Sequence, residues 1–190
     1  RLRMMLKNLA IGALLVFITL ALFLEIKLAF WVMLGIPISF LGALAVINTP
    51  YIDSSLNMIS IFGFILVLGI VVDDAIIMGE SAYTETERNG HSVDNVISGV
   101  YRVSTPATFG VLTTIVAFTP TLFVQGVFAP MAAAAGWVVI LCLVFSLVES
   151  KWILPAHLAH SKPTKNPLLL KVDHVQEGIN QRLRNFVDGP

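Results

Sequence analysis

Charge is scarce in this chain. Lys, Arg, Asp and Glu make up 13% of its 190 residues, about half the roughly 25% typical of a soluble domain. With 56% hydrophobic residues and a mean hydropathy of +0.84, this excludes an ordinary water-soluble domain and points to an integral membrane protein. No sign of charge predominates either. Twelve basic residues balance twelve acidic ones, so no basic surface for nucleic acid is expected. Cysteine is nearly absent. Cys142 is the only one, so no intrachain disulfide can form, and its apolar surroundings predict a small buried hydrophobe. The chain starts at Arg1 rather than Met, and no secretory cleavage pattern is recognisable. It is therefore expected to be a piece of a longer protein.

What the chain has in abundance is apolar length. Five segments reach the roughly 20 residues that cross hydrocarbon as a helix: about Leu6–Leu24, Leu28–Ile47, Leu56–Gly79, Val103–Phe123 and Phe128–Val148. The fold class expected is all-α: a five-helix transmembrane bundle over residues 1–150, followed by a cytoplasmic segment over 151–190. The first connection, around Glu25 to Lys27, is short enough for a tight hairpin. The second, Asn48 to Ser55, has turn chemistry from Asn, Pro and Asp. Residues Glu80 to Arg102 are expected to form the one long loop. After Val148 the composition becomes polar, with Pro155, Pro163 and Pro167 marking a linker. Val172, Val175, Ile179, Leu183 and Phe186 then recur at helical spacing. That pattern predicts an amphipathic helix lying at the membrane interface or packing on the rest of the protein.

The basic residues give an orientation. Arg1, Arg3 and Lys7 fall on one side; the other nine, from Lys27 to Arg184, fall on the other. The richer side is expected to be cytoplasmic, which puts the N-terminus outside and the C-terminus inside. An outside N-terminus next to three cations implies at least one upstream helix.

Against this apolar background Asp73 and Asp74 stand out. They lie inside the third span, where a carboxylate costs about 2.5–3.5 kcal/mol on insertion scales. Burial and mutual repulsion both disfavour the charged form, so at least one holds a proton unless a cation lies close. No Lys or Arg occupies the core of any span, so the partner is expected from elsewhere. Neighbours on a helix point about 100° apart, which lets both face one interior cleft but not each other. These residues are the candidate ion or proton site.

The remaining polar and helix-bending residues carry weaker signals. Pro37, Pro106, Pro120 and Pro130 interrupt spans, with glycines that permit close helix approach. Ser60 and Thr105, Thr108, Thr113, Thr114 and Thr119 are expected to bond back to their own helices. His157 and His160 have metal-compatible spacing but no Cys or carboxylate nearby. Neither a metal nor a cofactor is expected.

The stretch Gly69-Ile-Val-Val-Asp-Asp-Ala-Ile-Ile-Met-Gly-Glu80 resembles the fourth transmembrane helix of the resistance-nodulation-division (RND) superfamily, the proton-driven efflux pumps of the bacterial inner membrane. Leu22-Phe-Leu-Glu-Ile-Lys-Leu-Ala-Phe-Trp-Val32 and Gly35-Ile-Pro-Ile-Ser-Phe-Leu-Gly42 resemble the second and third helices. Asn57-Met-Ile-Ser-Ile-Phe-Gly63 resembles the start of the fourth, and Ser104-Thr-Pro-Ala-Thr-Phe-Gly-Val-Leu-Thr-Thr114 the fifth. Leu147-Val-Glu-Ser-Lys-Trp-Ile-Leu-Pro-Ala-His-Leu158 resembles the end of the sixth.

The resemblance implies helices two to six of the first half of a twelve-helix pump. It implies that Asp73 and Asp74 are the proton-relay carboxylates, with a lysine partner on the second half. It also implies a homotrimer working with a periplasmic adaptor and an outer-membrane channel. Two adjacent acids are more similar to the hydrophobe and drug exporters than to the heavy-metal exporters. Ser81-Ala-Tyr-Thr-Glu85 departs from the basic residues common at that place. Two rival classes remain from the residues alone. An intramembrane aspartyl protease would need acids facing each other from different helices. A structural scaffold would leave the aspartates without a purpose.

Overall fold

A computed structural model describes residues 2–23, 25–47, 49, 52 and 58–160. Six α-helices appear among them: α1 (Leu2–Phe23), α2 (Ile26–Ile47), α3 (Met58–Asn89), α4 (Val93–Phe118), α5 (Ala129–Val148) and α6 (Leu154–His160). A 3₁₀ turn, Thr119–Phe123, follows α4, and a π-helical turn, Glu149–Ile153, joins α5 to α6. The all-α membrane bundle expected from the sequence is what forms. Among the described residues, four helical segments are long and apolar enough to cross a membrane: Ile26–Ile47, Met58–Asn89, Val93–Phe123 and Ala129–His160. The apolar stretch of α1, Ala10–Leu22, is shorter, although α1 lies where the first span was expected. The amphipathic helix expected near Val172–Phe186 lies outside the described residues.

Three local expectations are corrected. Glu80 to Arg102 is not a long loop. Nothing between Glu80 and Asn89 breaks a helix, so α3 runs ten residues past Gly79. Its 32 residues make about 48 Å at 1.5 Å each, well beyond a hydrocarbon core of about 30 Å. The turn itself is only Gly90, His91 and Ser92. Gly90 takes φ +89°, a left-handed conformation that costs glycine little and ends helices routinely. Ser92 then caps α4 by accepting a hydrogen bond from the Asn95 backbone N–H, with Asp94 in the first turn. The second correction is that the chain stays helical from Glu149 to His160. Pro155 sits in the first turn of α6, where its missing N–H breaks no helical bond. Third, Pro120 and Pro130 start the 3₁₀ turn and α5 rather than interrupting a helix. Pro37 and Pro106 do lie inside helices.

Three apolar clusters hold the bundle. The largest joins Ala43 and Ile47 of α2, Val67 and Val71 of α3, Val111 of α4, and Val138, Cys142 and Leu143 of α5. A second joins Leu20 of α1 to Leu28, Val32 and Ile36 of α2, Leu68 and Val72 of α3, and Leu154 of α6. The third packs Met78 and Ala82 of α3 on Val96, Val100 and Ala107 of α4. In lipid, helices gain no hydrophobic advantage from meeting, so close packing at small residues has to hold them. Gly99 shows this best. A Cβ there would lie 2.6 Å from the Ala82 Cα and 2.6 Å from the Ser81 carbonyl oxygen. The two backbones touch, and the Ser81 hydroxyl donates to the Gly99 carbonyl at 2.7 Å. Cys142 is fully buried in the first cluster, as its apolar setting predicts.

Candidate functional site

α3 carries both aspartates, and the bundle treats them differently. Asp74 lies one turn beyond Val71 and one turn before Met78, on the buried face of α3. There the cluster shared with α2 and α5 passes into the one shared with α4. It is 8% exposed, and its Oδ2 has no hydrogen-bond partner among the described residues. Asp73, about 100° around the helix, is exposed on the outer surface of these helices. The two carboxylates therefore do not share one interior cleft within this chain. One is sealed among its helices; the other faces outward.

Leaving a buried polar oxygen without a partner costs about 1–3 kcal/mol, and more for a charge. Among the described residues no salt bridge reaches either aspartate. An ion pair does form further along α3, between Arg102 and Glu85, 2.6 Å apart. The threonines near this level do not serve the aspartates. Thr108, Thr113, Thr114 and Thr119 donate to the carbonyls of Ser104, Phe109, Gly110 and Ile115 in their own helix. This is the back-bonding expected of them.

The structure adds two buried acids that sequence reasoning passed over. Glu85 is buried in the α3–α4 hairpin, where Arg102 and the Asn89 amide both donate to it. Glu149 is 2% exposed, and its carboxyl group lies directly against Gly35 of α2. Glu149 stands immediately after the fifth apolar run, so a span boundary drawn at Val148 hid it. Its signal was the run of 32 helical residues to His160, with Leu154 returning to the core.

At the same end as the α3–α4 turn, a cleft of about 210 Å³ is lined by Glu25, Lys27, Tyr83, Thr86, His91 and Leu158, among others. The α1–α2 connection, the α3–α4 turn and α6 thus share one end of the bundle, as the alternation of spans requires. His157 stacks on Trp31 with ring centroids 4.1 Å apart, and His160 bonds to the Ala156 carbonyl. No group of three or more His, Cys, Asp or Glu suited to a metal occurs among the described residues.

A multi-pass helical bundle with carboxyls sealed between its helices marks a functional membrane site rather than a packing feature. The family model for the AcrB/AcrD/AcrF family matches residues 2–176, nearly the whole chain. The chain belongs to that family, within the RND transporters, and supplies part of its membrane domain.

Proposed function

We propose that this chain is part of the proton-translocating unit of a proton/substrate antiporter, with Asp73 and Asp74 as the proton-binding groups. The observation that carries this reading is the pair's split environment. Asp74 is buried without a partner for Oδ2, while Asp73 lies beside it on the open face of α3. A carboxylate in that position is stable when protonated or when a cation is brought to it. Asp73 on the outer face is where a cationic residue from the rest of the transporter would reach the pair. Alternation between those two states biases a two-state helix arrangement, which is what couples proton entry to substrate exit.

Within this reading the protein lies in the bacterial inner membrane, with the first residues of the chain on the periplasmic side and His160 toward the cytoplasm. It works as a homotrimer with a periplasmic adaptor and an outer-membrane channel, and exports hydrophobic or drug-like compounds. In the intact transporter, Asp74→Asn should abolish proton-coupled efflux from inverted vesicles while membrane insertion stays normal, because losing a carboxylate makes insertion easier. Asp73→Asn should behave alike. Wild-type coupling in either variant would remove that residue from the relay.

A further inference from the structure

Glu149 is the buried acid that the relay just described does not use, and its place in the fold is specific. α3 and α5 run parallel, and two contacts fix their register. Gly63 lies against Val138 and Ala135. Eight residues further along α3, the Val71 carbonyl accepts a hydrogen bond from the Ser146 hydroxyl at 3.4 Å. Three residues beyond Val71 is Asp74; three residues beyond Ser146 is Glu149. Each lies about 4.5 Å along its helix from the shared bond. The two buried carboxyls therefore occupy one layer of the bundle on adjacent parallel helices.

α2 gives the same level independently. Leu28 meets Gly79, and α2 and α3 run in opposite directions. From that contact, Asp74 is five residues and Gly35 seven residues toward the bundle centre. At 1.5 Å each these are about 8 and about 10 Å.

The surroundings of Glu149 suit a group that changes its protonation. The missing side chain at Gly35 lets the carboxyl lie against α2, where a Cβ would come 2.5 Å from the Glu149 Cδ. Ser146 and Ser150 are fully buried beside it. Ser39, one turn beyond Gly35 on α2, is fully buried with no partner for its hydroxyl among the described residues. Glu149 also opens the π-helical turn. Such turns are rare inside helices and concentrate at functional sites. The titratable groups of the elements packed around it are Lys27 on α2, Asp74 and Glu85 on the buried face of α3, Cys142 on α5, Lys151 in the turn itself, and His157 and His160 on α6. Among the described residues none of them forms an ion pair with Glu149.

We infer that Glu149 is a third proton-binding carboxyl, which exchanges protons with Asp74 in the same layer of the bundle. In antiport a proton leaving Asp74 passes to the Glu149 carboxylate and neutralises it, and Glu149 then releases it toward the cytoplasmic end of the bundle. The buried hydroxyls of Ser146 and Ser150 beside Glu149 can each donate and accept. The inference rests on the Asp73–Asp74 reading only for the proton's source.

The test is made on the intact transporter. Glu149→Gln keeps the shape of the protonated acid and removes the titration; Glu149→Asp restores a carboxyl. Glu149→Gln should insert normally and remove one protonated-carboxyl band from the infrared spectrum. It should also slow proton-coupled efflux roughly a hundredfold, the lower end of what a positioned proton-transfer group contributes, and flatten the pH profile. Glu149→Asp should recover much of the rate. An unchanged band pattern, or unchanged efflux and pH profile, in Glu149→Gln overturns the proposal. Should that variant not accumulate, Gly35→Ala decides, because its Cβ would press on the Glu149 carboxyl. A displaced carboxyl band that Asp74→Asn does not remove supports the proposal, and an unmoved one overturns it. The infrared readout needs no transport. If Asp74→Asn pumps normally while Glu149 still titrates, the relay reading fails and with it the exchange with Asp74, while Glu149 stands as a proton-binding carboxyl. If Asp74→Asn is dead and Glu149 is silent, only this inference fails.

Discussion

The Arg102–Glu85 pair offers a quantitative test of how the α3–α4 hairpin is held. Its two ends differ: the Arg102 side chain is 56% exposed and the Glu85 side chain 9%. Glu85 also accepts from the Asn89 amide at 2.6 Å. Removing the partner of a buried charge costs about 3–5 kcal/mol when both members are fully buried. Half-exposed Arg102 contributes less, since water already screens it and exposed pairs are worth about 0–1 kcal/mol. The retained Asn89 bond reduces the loss further. Arg102→Ala should therefore destabilise by about 1–2 kcal/mol.

Glu85→Leu should cost less. The leucine fills a buried site beside Ala82, and the freed Arg102 turns to water. The double substitution should cost less than the sum, with a coupling of about 1 kcal/mol. The assay is a double-mutant cycle on thermal unfolding of the purified intact transporter, followed by a probe on the hairpin. If Glu85→Leu proves as damaging as Arg102→Ala, the asymmetry argument is wrong.

Two further outcomes follow from the packing. Gly99→Ala should lower stability by about 1–3 kcal/mol, the usual range for overpacking, because its Cβ meets backbone that cannot step aside. Gly110→Ala has open space around it and should be neutral or stabilising by up to about 1 kcal/mol through helix propensity; thermal melts of both variants side by side check this. For orientation, cysteines at Glu87 and Val127 in a Cys142→Ala background should react with an impermeant maleimide from opposite sides, Glu87 only from the cytoplasm. Both residues are exposed. Labelling of both from one side would sink the assignment.

The sequence by itself determined that this chain forms membrane-crossing helices, and where most of them lie, because hydrocarbon leaves the backbone no other way to satisfy its polar groups. It also picked out Asp73 and Asp74, since a charge inside an apolar run has a cost that composition alone reveals. It did not reach the continuation of α3 to Asn89. Helix propensity there is ordinary, and what fixes the extension is packing on α4, with backbone touching backbone at Gly99 and Ala82. Nor could it tell the two aspartates apart. Their spacing on one helix is the same in either environment, and only the helices packed around α3 decide which is sealed and which faces out. Glu149 shows the same limit most plainly. As the first polar residue after an apolar run it has the pattern of a surface group. It becomes an interior one because α5 continues helically, Gly35 on a distant helix leaves room for the carboxyl, and the register of α5 on α3 brings it level with Asp74. That register is set by contacts between residues about 75 positions apart, and no local pattern encodes it.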